Sequence, residues 1–96
     1  MEKHILDTGN MLPFIETKIS DNTFIREFNQ DTDSGEFMWH RDREDRIIES
    51  IGETDWLFQI DDELPKKIDS EIFIPKGVYH RIIKGSGNLK IKLQKL

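Results

Sequence analysis

The stretch IPKGVYHRIIKG, residues 74–85, carries the strongest signal for the fold. Pro75 and Gly77 are turn formers, and their spacing predicts a tight bend. The residues after the bend alternate with the period of two that is typical of a β-strand. His80 shares one face of that strand with the apolar side chains two positions away on either side. The stretch therefore predicts a turn that delivers a histidine onto a half-buried strand.

The sequence on both sides of this stretch repeats the pattern of short strands between turn signals. In the clearest case, Leu89, Ile91 and Leu93 alternate with polar residues directly after the turn KGSGN. Further runs that predict strands are TFIREF (23–28), GEFMWH (35–40), RIIESI (46–51), WLFQI (56–60) and EIFIP (71–75). The apolar residues of 11–22 fit either a helical turn or strands.

Many short strands with frequent turn signals are typical of an antiparallel sandwich or barrel. No repeat, linker or convincing long helix interrupts the series, so we interpret residues 1–96 as one all-β domain. A chain of 96 residues that is 35% hydrophobic can bury only a limited core. We therefore expect a homodimer.

The composition narrows the possible chemistry and partners. The chain contains no cysteine, which excludes disulfides and thiolate sites, so a bound metal must take nitrogen or oxygen ligands. The net charge of −5, with basic residues interleaved among acidic ones, disfavours nucleic-acid binding. No apolar run reaches membrane-spanning length, and the first ten residues lack the apolar stretch of a signal peptide. We expect no membrane partner and a cytoplasmic location.

A second stretch with potential chemistry is MWHRDREDRIIESIG, residues 38–52. His40 and Asp42 are two positions apart and would project to the same side of a strand, and Asp45 follows across a bend. Nitrogen and oxygen donors at this spacing suit Zn²⁺, Fe²⁺, Mn²⁺ or Ni²⁺ better than Ca²⁺. The alternatives are a solvated strand of paired charges here and an ordinary core histidine at His80. Two strand histidines near turns favour a shared metal site, because imidazole is the commonest protein ligand for such ions.

Residues 74–85 resemble the second conserved motif of the cupins, G-x5-P-x-G-x2-H-x3-N. Pro75, Gly77 and His80 meet this motif, while Asp69 replaces its opening glycine and Lys84 its closing asparagine. The resemblance extends over residues 35–96. It implies a small antiparallel cupin barrel, also described as a double-stranded β-helix or jelly roll. Residues 1–34 would then be added strands or a dimer contact.

The first cupin motif, G-x5-H-x-H-x3-4-E-x6-G, is matched less completely and in two possible registers. With Gly52 as the closing glycine, Asp45 takes the glutamate position, His40 the second histidine and Met38 the first. In the other register, His40 is the first histidine and Asp42 the second, which leaves Arg46 or Ile47 at the glutamate position. The resemblance therefore implies His40 and His80 as metal ligands, with Asp45 preferred to Asp42 as the carboxylate.

Three more residues are placed near a bound ligand. Asp42 is the alternative carboxylate, Met38 is an apolar residue that we expect in the core beside His40, and Arg81 could clamp an anionic group bidentately. Arg41, Arg43 and Arg46 could do the same, and surface ion pairs are the alternative for all four arginines. We expect Trp39 and Trp56 to supply core or dimer contacts rather than a ligand pocket.

Three functions remain open from the sequence. The first is a barrel that binds a small polar molecule through a divalent transition metal (Zn, Fe, Mn or Ni) held by two histidines and a carboxylate. The second is a metal-dependent enzyme of oxygenase or isomerase type that uses the same site. The third is a metal-free structural or interaction protein, in which the two histidines are core residues.

Overall fold

The computed structural model describes residues 14–31 and 35–96, and this part of the chain is built from eight β-strands and one 3₁₀ turn. The strands are β1 (Phe14–Lys18), β2 (Thr23–Phe28), β3 (Arg46–Ser50), β4 (Leu57–Ile60), β5 (Lys66–Lys67), β6 (Ile72–Ile74), β7 (His80–Ile83) and β8 (Leu89–Lys95), with the 3₁₀ turn at Gly35–Phe37 between β2 and β3. The described residues contain no α-helix. The prediction of an all-β antiparallel fold is confirmed.

The strands form two antiparallel sheets. The larger sheet has the order β1-β2-β8-β3-β6, and the smaller has the order β5-β4-β7. All six strand pairings are antiparallel. An isolated bridge between His40 and His80 lies at the start of β7 and joins the segment before β3 to the smaller sheet.

The core lies between the two sheets because the inward-facing residues alternate along each strand. In β8 the inward residues Leu89, Ile91 and Leu93 are at most 3% exposed, as their alternation predicts. The buried core also contains Phe28, Ile48, Trp56, Phe58, Ile68, Ile72, Ile74 and Ile82. The burial of Trp56 confirms its predicted core role. Its indole Nε1 donates to the carbonyls of Ser86 and Gly87, both at 3.2 Å, so the buried N–H is satisfied.

Two glycines make turns that other residues could not make without strain. Gly77 has a φ of 78° in the turn before β7, in which Val78 N–H donates to the Pro75 carbonyl at 3.3 Å. This is the glycine position of a type II turn. Gly85 lies so close to Asp55 and Trp56 that an added Cβ would approach Asp55 Oδ1 to 2.3 Å. The predicted bend at Pro75 and Gly77 is present.

Several local predictions are wrong. The predicted strand GEFMWH instead forms the 3₁₀ turn and then a bend, because its backbone pairs with another strand only at His40. Met38 was expected in the core but its side chain is 69% exposed. Trp39 is 43% exposed, so it is not a core residue, while its alternative role in a dimer contact stays a prediction; the Arg81 guanidinium lies 4.7 Å from the centre of its ring. The alternation of side-chain directions does not apply to residues 35–40, because it holds only in an extended strand.

The amino-terminal part of the described chain belongs to the larger sheet. β1 and β2 form a hairpin, and β2 pairs along its length with β8. Of the two interpretations of residues 11–22, the strand is confirmed at Phe14–Lys18, residues 19–22 form the turn that follows it, and residues 11–13 lie outside the described part. Among the described residues, no helix has the length and apolar character needed to cross a membrane.

Candidate metal centre

The candidate centre forms where the segment 40–45 runs antiparallel to the segment 76–80. His40 N–H donates to the His80 carbonyl at 3.0 Å, and His80 N–H donates to the His40 carbonyl at 2.8 Å. Residues paired in this way face each other directly, and their side chains leave the same side of the backbone. The two imidazole rings consequently lie together, with their centres 4.3 Å apart.

Two further hydrogen bonds hold the turn before β7 against the same segment. Gly77 N–H donates to the Asp42 carbonyl at 2.9 Å, and Lys76 N–H donates to the Asp45 carboxylate oxygen Oδ1 at 2.8 Å. Asp45 therefore uses its carboxylate to fix the turn that leads into His80. It does not lie with the two histidines.

The carboxylate that joins the histidines is that of Asp42. One donor atom each from His40, Asp42 and His80 can be chosen so that all three lie within 4.8 Å of one another. Asp42 Oδ2 is 3.2 Å from His80 Nε2. Two donors bonded to one tetrahedral ion at about 2.1 Å would lie about 3.4 Å apart, so this spacing fits a shared ion.

The hydrogen bonds of the two rings leave both Nε2 atoms facing the cluster. His40 Nδ1 is 2.8 Å from the Met38 carbonyl, and His80 Nδ1 is 2.9 Å from the Val78 carbonyl. A carbonyl only accepts, so each Nδ1 carries the hydrogen, and in the neutral ring each Nε2 holds a lone pair. This is how backbone carbonyls orient metal-ligating histidines.

Two buried polar atoms of the cluster make no hydrogen bond within the part of the chain that the structure describes. They are His40 Nε2 and Asp42 Oδ2. His40 Nε2 lies 3.3 Å from the Glu36 oxygen Oε1 and Asp42 Oδ2 lies 3.2 Å from His80 Nε2, which are distances of charge contact without hydrogen-bond geometry. In each contact a ring nitrogen lies close to a carboxylate oxygen without a hydrogen bond to it. A cation near both atoms would stabilise such a contact.

The charges of the cluster shift its pKa values in complementary directions. Burial alone would lower the pKa of His40, but the Glu36 carboxylate, the Met38 carbonyl and the Asp42 charge together raise it above its ordinary 6.5. Burial would raise the pKa of Asp42, but its contacts with His80 and Arg46 lower it below 3.8. The pKa of Glu36 is lowered in the same way by His40 and Arg26. The environment favours the ionised form of both carboxylates.

The cluster forms part of the lining of a cavity inside the barrel. About 310 Å³ of space, part of it open to solvent, is lined by charged residues and by core side chains. The charged lining also includes Glu36, Arg26 and Arg46. Sequence reasoning missed Glu36 and Arg26, and it named Arg46 only among the arginines for which surface ion pairs were the alternative. The available signal was parity, because Arg26 and Arg46 lie two residues from Phe28 and Ile48 on the inward face. No pattern in the sequence indicates that Glu36 lines the cavity, because its position depends on the 3₁₀ turn Gly35–Phe37.

The remaining predicted site residues lie elsewhere. Arg81 is on the outward face of β7, where its Nε donates to Gln59 Oε1 at 3.0 Å, and it does not line the cavity. Met38 contributes its backbone carbonyl to His40 rather than its side chain. Of the predicted ligands and ligand-binding residues, the structure brings together His40, His80 and Asp42.

Comparison with known proteins places this geometry in a familiar fold. No protein-family model matches the chain, and no curated protein matches it. Solved structures do match. A cupin domain from Bordetella pertussis Tohama I is 17% identical with a TM-score of 0.60, and the match covers 88% of this chain and 95% of that one. A cupin-2 domain protein from Shewanella frigidimarina is 18% identical with a TM-score of 0.59, covering 84% of this chain and 79% of that one.

A third structural match is the Fe(II) form of HppE, at 13% identity and a TM-score of 0.67. That match covers 99% of this chain but 55% of HppE. The two cupin domains and the two antiparallel sheets together define the architecture. The chain has the cupin fold, as the motif around Pro75, Gly77 and His80 predicted.

Proposed function

We propose that this cupin barrel binds a divalent transition metal through His40, His80 and Asp42, and through it a small polar ligand. The sequence preferred Asp45 as the carboxylate ligand. We replace it with Asp42 because Asp42 lies in the cluster, whereas the Asp45 carboxylate accepts a hydrogen bond from the Lys76 backbone.

The observation that carries the proposal is the pair of buried atoms without hydrogen bonds, His40 Nε2 and Asp42 Oδ2. Leaving such atoms unsatisfied costs about 1 to 3 kcal/mol each, and more for a charged group. A cation between them would satisfy both. The metal-free alternative is a proton on His40, whose pKa is raised, but that proton would leave Asp42 Oδ2 without a hydrogen bond, whereas a shared cation would satisfy both atoms.

The donor set limits the choice of metal. Two imidazole nitrogens and one carboxylate suit Zn²⁺, Fe²⁺, Mn²⁺ or Ni²⁺. The Fe(II) form of HppE, which shares the fold, supports including iron in this group. Three protein ligands leave positions open, where such an ion supplies Lewis-acid character to a bound ligand. The same open positions keep a metal-dependent enzyme as the second candidate.

Metal binding and its residue dependence test the proposal. Protein purified without an affinity tag is stripped with a chelator, reloaded with Zn²⁺, Fe²⁺, Mn²⁺ or Ni²⁺, and analysed for metal content and melting temperature. We expect close to one ion per chain and a higher melting temperature, because a ligand that binds only the native state stabilises it. His40→Ala and His80→Ala should each remove the metal-dependent increase while the barrel remains folded.

His4→Ala is the matched control, since His4 is the third histidine of the chain and is not predicted to take part in the site. It should bind metal as the wild type does. If the wild type retains none of the four ions, or if all three histidine variants retain them equally, the metal site is wrong. The histidine pair would then be a charged contact within a metal-free binding module.

A further inference from the structure

We infer that the ligand of this barrel is a small oxyanion, such as a carboxylate or phosphate group, bound by Arg26 and Arg46. The inference rests on the proposed function and names the chemical class of its ligand. It is carried by two arginines that point into the barrel, one from each of two strands of the larger sheet. Both line the cavity that contains His40 and His80.

Arg26 lies inside an apolar layer. Its side chain is 9% exposed, it comes from the inward face of β2, and its guanidinium lies 4.4 Å from the centre of the Phe14 ring. Nε donates to Glu16 Oε2 at 2.6 Å. Nη1 is 3.9 Å from Glu36 Oε1, which is too long for a hydrogen bond. Within the described residues, the two Nη groups make no hydrogen bond.

Arg46 repeats this arrangement from β3. Its side chain is 13% exposed, and its Nε donates to Glu44 Oε2 at 2.5 Å. Nη1 lies 3.4 Å from Asp42 Oδ1, an ion-pair distance without hydrogen-bond geometry. In both arginines Nε donates to a carboxylate, of Glu16 or of Glu44, that does not line the cavity. The Nη groups at the ends of the two side chains can therefore donate hydrogen bonds to another acceptor.

A bound metal would remove the negative charge that opposes an anion at the cavity. The cavity lining contains the two guanidinium groups and the carboxylates of Glu36 and Asp42, whose formal charges cancel. Glu16 and Glu44 contact the same guanidinium groups from outside the lining, at 2.6 and 2.5 Å, so the six groups together carry a formal charge of −2, which a divalent cation would neutralise. The planar guanidinium groups match the oxygens of carboxylate or phosphate in a two-pronged geometry, and desolvated contacts of this kind are stronger than exposed ones.

Calorimetric titration of inorganic phosphate, and separately of acetate, tests this inference. Each probe is titrated at constant ionic strength into metal-loaded protein freed of unbound metal, and into the metal-free protein. We expect saturable binding of at least one probe. It should weaken about tenfold or more in Arg26→Met and in Arg46→Met, because each substitution removes charged hydrogen bonds. The stronger of the two probes identifies the kind of oxyanion.

Arg43→Met is the matched control, since it removes the same charge from an exposed arginine that does not line the cavity. Its anion affinity should stay within about twofold of the wild type. Because Arg26 is buried, its methionine variant could fail to fold, so Arg26→Lys is measured as well. The lysine keeps the charge but loses the planar fork, and anion binding should weaken several-fold.

Equal anion affinity in the wild type and all cavity variants would overturn the inference, as would the absence of saturable binding for both probes. Metal content is measured on the same samples, which separates this result from the proposed function. If the wild type holds no metal but phosphate binding depends on the two arginines, the metal site fails and the oxyanion site stands. If metal binds and the anion affinity is unchanged in both arginine variants, the metal site stands and the oxyanion site fails.

Discussion

His40 and His80 exchange both of their backbone hydrogen bonds, at 3.0 and 2.8 Å, and this reciprocal pairing sets their rings side by side. The spacing of the rings is therefore fixed by main-chain geometry rather than by an ion. A site whose ligands are already in place loses less conformational entropy when it binds. We expect the two rings to keep this arrangement in the metal-free protein.

We expect the carboxylates of Asp42 and Asp45 to have different roles, the first in metal binding and the second in stability. Asp42→Asn should lower metal affinity at least tenfold, because it removes the ligating charge from the cluster. Asp45→Asn should leave metal affinity within a few-fold but reduce stability by about 1 kcal/mol, because it weakens the bond from Lys76 N–H. Metal titration and chemical denaturation of both variants measure the two effects. The opposite ordering would restore Asp45 as the ligand.

The stabilising effect of metal should grow as pH rises. The raised pKa of His40 means that its proton stabilises the metal-free fold fully below about 6.5, and that this contribution disappears as pH rises through the folded-state pKa. A metal must displace that proton, so acid opposes binding. We expect the metal-induced rise in melting temperature to increase between about pH 5.5 and 7.5. A rise that is constant or decreasing over this range would contradict ligation by His40.

The carboxylates of Glu36 and Asp42 have the opposite pH dependence: their contribution to stability is lost as the pH falls. The lowered pKa values of Glu36 and Asp42 mean that their contributions are present above the ordinary values of 4.5 and 3.8 and are lost as pH falls through the folded-state pKa of each group. In chelator-treated protein, the cluster should therefore stabilise the fold most between about pH 4.5 and 6.5. Denaturation of Glu36→Gln beside the wild type across pH 3 to 8 should show the largest difference within that window. A pH-independent difference would contradict the charge contacts.

Gly77 should matter both for stability and for the site. In Gly77→Ala the φ of 78° forces an alanine into the left-handed region, at a cost of about 1 to 2 kcal/mol. The turn before His80 should shift, and metal affinity should fall. Gly52→Ala is the control, because Gly52 has a φ of 87° with open space around its Cα and is not part of the cluster. It should lose similar stability and keep its metal affinity, whereas equal metal losses in both variants would show that the turn does not position His80.

Self-association remains a prediction. Several large apolar side chains are exposed, and Phe73 on the edge strand β6 is 51% exposed. Covering such side chains would favour a second copy of the chain. Sedimentation at micromolar concentration should show a dimer, and Phe73→Lys should shift it toward monomer. A compact monomer at these concentrations would contradict the prediction.

The sequence predicted the half of the site that lies in regular structure. His80 follows a bend and begins a strand of alternating residues. Its inward direction could therefore be predicted from the turn at Pro75 and Gly77 and from the alternation of the strand. The surroundings of His40 could not be read this way, because residues 35–42 form a 3₁₀ turn and a bend whose side-chain directions follow no fixed period. This is also why the proposal of Asp42 rather than Asp45 rests on the structure: the pairing with the turn at residues 75–77 places the Asp42 carboxylate beside the histidines and the Asp45 carboxylate on the Lys76 backbone.

The inward arginines show a different limit of sequence analysis. Arg26 and Arg46 occupy core parity in β2 and β3, yet composition alone assigns arginines to ion pairs on the surface. Their burial follows from the neighbouring carboxylates Glu16 and Glu44, one provided by another strand and the other by the preceding bend. Which carboxylate contacts each arginine depends on how the chain folds in three dimensions, and this information is not present in a local sequence pattern.

The position of β8 has a consequence for how the protein reaches its folded state. β8 lies between β2 and β3 in the larger sheet and pairs with both, so these two strands meet only through the last strand of the described sequence. Four of the six strand pairings described here join strands that are not consecutive in the sequence, and folding dominated by such distant pairings is slow. During synthesis, the hairpin β1-β2 must wait with an unpaired edge until the final strand emerges from the ribosome. A chaperone that shields exposed strand edges would act on the nascent chain at this stage.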